Sequence, residues 1–168
     1  MNANQPHRGL RWDFEVSNKA GEVIDRFHAY NLVPTEGLNF LMSLAFKSAS
    51  AVPAWFISIF EGDYTPTEDV TAATLPGLAT EITAYTPATR PEFVDGAITD
   101  GALSNAASLA EFTFTQSKTV RVVALTSASA KGSTAGVALS VVRLPSPKEY
   151  EIGDVMRVFA GPNVTPVA

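Results

Sequence analysis

Between Arg11 and Ser17 the chain alternates without a break. Trp12, Phe14 and Val16 are large and apolar, while Asp13, Glu15 and Ser17 are polar. Successive side chains of a strand point to opposite faces, so this period of two predicts a half-buried β-strand. Asn18-Lys19-Ala20-Gly21 follows as a turn, with Gly21 free to take a positive φ. Residues 22–32 resume an extended, β-branched and aromatic pattern, and the pair predicts a β-hairpin.

The same signals recur further on. Residues 55–60 form a short apolar run of the fully buried kind. Residues 110–116 alternate, with Phe112 and Phe114 inward and Glu111, Thr113 and Thr115 outward. Residues 120–126 are apolar on both faces, which predicts a central strand. Residues 137–144 read as a strand stopped by Pro145-Ser146-Pro147, and residues 155–160 as the last strand. Asp95-Gly96, Asp100-Gly101 and the polar stretch 127–136 supply turns between them.

One helix interrupts the strands. Pro34 suits a first helical position and Glu36 the positive end of the helix dipole. Leu38, Leu41, Met42 and Ala45 then fall at i, i+3, i+4 and i+7, and Phe40 and Leu44 form a second apolar pair. A helix apolar over most of its circumference is expected to be covered over most of it. Two arrangements satisfy that: a helix sandwiched inside the domain, or one with a face on its own sheet and Phe40 and Leu44 against a partner chain.

Residues 63–91 are rich in Thr, Ala and Pro, yet carry Val70, Leu75, Leu78, Ile82 and Tyr85. These apolar residues argue for an ordered, extended loop lying over a surface, with a short strand at residues 81–86. The expected fold is mainly β: an antiparallel β-sandwich or jelly roll with one α-helix inserted near residues 34–47. Residues 1–10 are expected to be a flexible N-terminal arm, 11–160 a single domain, and 161–168 an extended C-terminal tail.

Composition narrows the function. Charged residues make up 17% of the chain, below the roughly 25% usual in soluble domains. Such a weakly charged surface suits a protein packed against neighbours. The net charge of −5, with scattered basic residues, speaks against direct nucleic-acid binding. With no cysteine there are no disulfides, thiolate metal sites or Cys nucleophile. No run approaches the roughly 18 apolar residues of a membrane span, and the polar start shows no signal-peptide pattern. Assembly in a cytoplasm is therefore expected.

Chemical motifs are weak. His7 and His28 lack ligand partners at helical spacing. Residues 131–136, Lys-Gly-Ser-Thr-Ala-Gly, superficially match a nucleophile elbow and a phosphate loop, but no helix opens behind them, so a hairpin turn is expected. Glu61, Asp63, Glu68 and Asp69 could in principle hold Ca²⁺, although their spacing fits no EF-hand and a solvated rim is favoured. Trp12, Trp55, Tyr64 and Tyr85 could supply stacking surfaces for a carbohydrate, against which the strand positions of the tryptophans favour core roles. No nucleophile and base belong together, so the chain is read as no enzyme, with no cofactor.

A more specific pattern is the order of short motifs: Tyr30 to Asn39 (YNLVPTEGLN), Trp55 to Phe60 (WFISIF), Asp63 to Thr67 (DYTPT), Glu81 to Thr86 (EITAYT) and Ala88 to Pro91 (ATRP). Ser104 to Ala107 (SNAA), Phe112-Thr113-Phe114 and Lys131 to Gly136 (KGSTAG) complete it. This order resembles a family of small structural proteins of tailed bacteriophages, of the jelly-roll capsid cement or decoration type. The resemblance spans about residues 30–160. It implies a virion protein on the capsid exterior that bridges major capsid protein subunits and associates with itself as a dimer or trimer. A head-fibre base or a tail protein is the alternative placement. Candidate contact residues are Phe40 and Leu44 on the helix, Tyr64, Pro66 and Thr67 in the loop, and His7, Arg8 and Leu10 in the arm.

Overall fold

The computed structural model describes residues 11–161. Along them run β1 (Arg11–Ser17), β2 (Val23–Tyr30), α1 (Thr35–Phe46), β3 (Phe56–Phe60), α2 (Leu75–Ala79), β4 (Tyr85–Thr86), β5 (Ala110–Phe114), β6 (Lys118–Thr126), β7 (Ala138–Tyr150) and β8 (Val155–Gly161). The fold is mainly β. Its strands form two antiparallel sheets, one in the order β2-β1-β8-β5-β4 and one in the order β3-β6-β7. The arm residues His7, Arg8 and Leu10, and the tail beyond Gly161, lie outside the described residues.

The expected hairpin forms for the expected reason. Trp12, Phe14 and Val16 are buried, and β1 pairs with β2 along its whole length. The turn is held by Asn18, whose side-chain oxygen accepts the N–H groups of Ala20 and Glu22 at 2.9 and 3.0 Å. Gly21 sits at φ +83°, a conformation that a Cβ would disfavour.

Two apolar clusters hold the sheets. The larger draws on both: Trp12, Phe14, Phe112, Phe114, Met156 and Val158 come from the five-stranded sheet, and Ile57, Ile59, Val123, Leu125, Val142 and Leu144 from the other. The smaller lies on the opposite side of β6 and joins Phe60, Val122, Ala124, Ala138 and Val141 to Val70, Ala72, Leu75 and Ala79. Strand β6 is therefore central, as its doubly apolar sequence predicts. Val120 and Val122 share parity but enter different clusters, because the register with β7 shifts between them.

Strand β7 departs from expectation. Pro145-Ser146-Pro147 does not end it: pairing with β6 stops at Val122↔Arg143 and resumes at Val120↔Lys148. The prolines fall in this irregularity on an edge strand, where no ladder hydrogen bond is required of them.

Residues 63–91 are more structured than an extended loop. Pro76 lies in the first turn of α2. Around α2 the segment runs along the otherwise open edge of β3. Ala79 and Thr80 carbonyls accept the N–H groups of Gly62 and Glu61, Ile82 N–H donates to the Ile59 carbonyl, and Ile57 N–H donates to the Pro91 carbonyl. Tyr85 and Thr86 then pair with Phe114 and Thr113 of β5 in the other sheet. One continuous strand over 81–86 is thus replaced by a crossing from one sheet to the other.

Helix α1 forms, with Pro34 just outside it as its cap, but neither expected burial arrangement holds. Gly37 is its buried residue, set so close to β7 that a Cβ would come within 2.9 Å of the Ala138 and Leu139 carbonyl oxygens. Glu36 anchors the first turn: its carboxylate accepts the N–H groups of Ala72 at 2.9 Å and Ala138 at 2.7 Å. Phe40 is half-buried and edge-on to Trp55, with ring centres 5.7 Å apart. Leu44, one turn on, is half-buried on the same side. The stripe Leu38, Leu41, Met42 and Phe46 is exposed.

Candidate functional site

The segment 63–91 is fastened by one buried ion pair. Arg90 and Glu81 side chains are only 2% and 3% exposed, and they meet through two hydrogen bonds of 2.8 and 2.6 Å. A buried guanidinium needs all five N–H donors satisfied. Arg90 meets that demand: its other three go to Thr126 Oγ1, the Ala128 carbonyl and the Ser133 carbonyl at 3.0–3.2 Å. Glu81 also accepts the Gly132 N–H at 3.0 Å. Next to it, Lys131 Nζ donates to the Thr83 and Tyr85 carbonyls and lies 3.7 Å from the centre of the Tyr85 ring. Burial lowers the Lys131 pKa, with Glu81 acting against the shift.

The 131–136 turn is therefore a clasp. Gly132 and Gly136 adopt positive φ, and the N–H groups a phosphate loop would offer have partners of their own: Gly132 donates to Glu81, Ser133 to the Ala130 carbonyl and Ala135 to Ser133 Oγ. In the sequence Arg90 stands only as part of the ATRP motif, and nothing local names its partners. The signal is visible in retrospect, because Glu81 and Arg90 are an opposite-charge pair in a stretch dominated by Thr, Ala and Pro.

Asn105 makes a second unforeseen contact. It is fully buried, donates to the Val158 carbonyl and accepts the Ala160 N–H, both at 2.9 Å. Its amide continues the pairing of β8 beyond the start of β5, as a backbone peptide would.

Three of the four acidic side chains near the loop are tied to other groups. Glu61 pairs with Lys118 at 3.0 Å and Asp63 with Arg143 at 2.5 Å. The Arg143 guanidinium holds the Asp63 carboxyl below its ordinary range. Thr67 hydroxyl donates to Asp69, and the Glu68 carbonyl accepts the Thr35 N–H at 2.8 Å. Among the described residues no three His, Asp or Glu side chains converge as ligands for an ion.

On the outer face of the five-stranded sheet, register places Arg26, Glu15, Arg157 and Glu111 side by side on four neighbouring strands. They form an alternating ladder: Arg26 to Glu15 at 2.9 Å, Glu15 to Arg157 at 3.3 Å, and Arg157 to Glu111 at 2.5 Å. Each charge is balanced by its neighbour, which leaves this face little net pull on a charged partner.

Of the loop candidates, Tyr64 is half-buried against the smaller cluster, Pro66 is half-buried and Thr67 exposed. Tyr64 Oη lies 3.4 Å from Thr67 Oγ1. Phe40 and Leu44 are on the body side of α1, so the structure separates them from the helix's exposed apolar stripe. For carbohydrate stacking, Trp12 and Tyr85 are buried and Trp55 is covered edge-on by Phe40, which removes the platform those rings would build. The buried Tyr85 and Tyr150 hydroxyls have no hydrogen-bond partner among the described residues. Burial first, and neighbouring carboxylates second, push both phenols well above their ordinary range.

Comparison with protein-family models and with characterised proteins finds no match.

Proposed function

We propose that this chain is a non-enzymatic structural protein of a tailed-phage virion, a capsid cement protein seated on the shell exterior and bridging major capsid subunits. In this reading the two sheets are the layers of a β-sandwich of jelly-roll type. The observation that carries the proposal is the exposed apolar stripe of α1 on a domain whose charges on the outer face of the five-stranded sheet are paired among themselves. Contiguous apolar surface of this kind marks a place where another protein packs. The rigid seating of residues 63–91 fits the same role, since a part that resists outward pressure gains from ordered connections. The partner comes from the resemblance of the motif order to phage cement proteins.

The test is a comparison of empty shells assembled with and without the protein. Loss of thermal or mechanical stability in its absence, with the protein seen on the shell by electron microscopy, is the expected result. Shells equally robust without it, or density on the tail instead, overturn the capsid role.

A further inference from the structure

We infer that the outer face of the five-stranded sheet carries a binding groove for a neutral oligosaccharide. The inference goes beyond the shell role and does not depend on it. Two cavities of about 350 and about 540 Å³ lie on this face, within the roughly 300–1,000 Å³ of small-molecule sites. Both are lined by Phe159 and Ala106, so they form one groove that passes over Phe159. Register sets His28, Asp13 and Phe159 side by side on β2, β1 and β8, one row along the sheet from the charge ladder. The wall is the chain between β4 and β5. There residues 96–104 form a small hairpin, with Gly96 N–H donating to the Ser104 carbonyl and Thr99 bridging Ala102. Asn105 ties this wall to β8, since its two bonds fall on Val158 and Ala160, either side of Phe159. The groove is thus held open by the fold itself.

The lining selects the occupant. Strand β1 is paired on both edges, and the Asn105 amide takes the place of a strand along β8 beyond β5. The floor therefore offers side chains, not the free backbone row by which an extended peptide adds to a sheet edge. Arg11 and Asp13 are paired at 2.9 Å, and the neighbouring ladder cancels its own charges, so the groove does not favour an ionic ligand. Hydrogen-bonding capacity nevertheless remains. Among the described residues, the second carboxylate oxygen of Asp13, Nη1 of Arg11 and both ring nitrogens of His28 have no hydrogen-bond partner. The exposed His28 ring is set edge-on to Tyr30, with ring centres 5.8 Å apart.

A pyranose matches both halves of this lining. One face of the sugar ring presents C–H groups that pack on the negative face of an aromatic ring. Its rim presents hydroxyls that donate to a carboxylate and accept from a guanidinium or imidazole. Phe159 is the platform: it is half-buried, and its ring rests against Gly161, where a Cβ would come within 3.2 Å of it. Asp13 is the acceptor for the hydroxyls, with Arg11 and His28 as their further partners. Leu109 and Leu103 line the two cavities and supply apolar contact on either side of Phe159. Two cavities in line suit a chain of sugar units rather than one.

The test is titration of the isotope-labelled full-length chain with maltotriose, cellotriose and chitotriose, three neutral trisaccharides, read by amide crosspeak shifts. At least one should bind with a Kd of about 1 mM or tighter, and the shifts should centre on Asp13, His28, Leu103 and Phe159. Asp13→Asn and Phe159→Leu should each weaken that binding about tenfold, while Leu41→Ala on α1 should leave it unchanged. No binding by any of the three sugars, shifts centred elsewhere, or equal affinity in the groove variants overturns the inference. So do through-space contacts from residues 1–10 or 162–168 to Phe159 in the sugar-free protein, or capsid protein seated over this face on assembled shells. Should Phe159→Leu unfold, Asp13→Asn and His28→Ala, both changes of surface side chains, decide. Sugar binding by a protein without effect on shell stability would leave the groove standing and remove the cement role. Shells that need the protein, with no sugar bound, would do the reverse.

Discussion

Helix α1 and the segment 63–91 invert what their sequences suggest. The helix has the most regular apolar periodicity in the chain, yet its best-formed stripe is exposed and its single fully buried residue is a glycine. The segment has little periodicity and four prolines, yet Val70, Ala72, Leu75, Ala79, Ile82, Tyr85 and Arg90 are buried. Periodicity shows that a helix has an apolar face but not what covers it. Irregular chain can be buried if its backbone groups find partners, and here the edge of β3, strand β5 and the Arg90 clasp provide them.

The contrast can be broken at its strongest point first. Arg90→Met should lower stability by about 3–5 kcal/mol in urea unfolding, because Glu81 is left buried without its counter-charge. The double variant Arg90→Met, Glu81→Leu should recover much of that loss. A small effect of the single change would mean that the segment is held by its apolar contacts alone.

A matched pair of leucines tests the inversion directly. Leu75→Ala, in the segment, should cost about 2–5 kcal/mol as a cavity opens in the smaller cluster. Leu41→Ala, in the helix, should change the stability of dilute protein by no more than about 0.5 kcal/mol. Equal losses would show that the stripe is covered within the monomer.

Close approach gives a smaller effect. A Cβ on Gly62 would lie 2.5 Å from the Ala79 carbonyl oxygen, so Gly62→Ala should destabilise by about 1–3 kcal/mol through forced separation of β3 from the segment. Crosspeak changes confined to residues near Ala79 would locate the strain.

The smallest expected effect is with pH. Lys148 donates to Asp25 at 2.7 Å, and this bond lowers the Asp25 pKa in the folded state. Its stabilisation is present above the ordinary Asp pKa of about 4 and is lost as pH falls through the lowered folded value. Melting temperature should therefore fall less steeply on acidification in Asp25→Asn than in the parent chain.

Much of the β framework was legible because its signals are local. Trp12, Phe14 and Val16 declare their face through alternation, and Asn18 and Gly21 declare a turn through their own conformational preferences. The doubly apolar run of β6 announced its central place. Pro145 and Pro147 were misread because a proline reports only on its own peptide. Whether a missing N–H matters depends on which strand lies beside it. The candidate site was less legible: the exposed stripe of α1 was seen as an apolar face, but its orientation was not, and Arg90's partners lie up to 43 residues away in sequence.

By itself, then, the sequence determined a helix near residues 34–47, formed as Thr35–Phe46, the hairpin of β1 and β2, and the strands after residue 110. Each rests on side-chain periodicity and backbone preference within a few residues. Only the tertiary structure decided that Gly37, not the leucines, meets β7, and that an irregular, proline-rich segment closes the edge of β3. Those outcomes depend on which surfaces reach each other first and most closely, and a backbone with a glycine at the crossing point can come nearer than any apolar stripe.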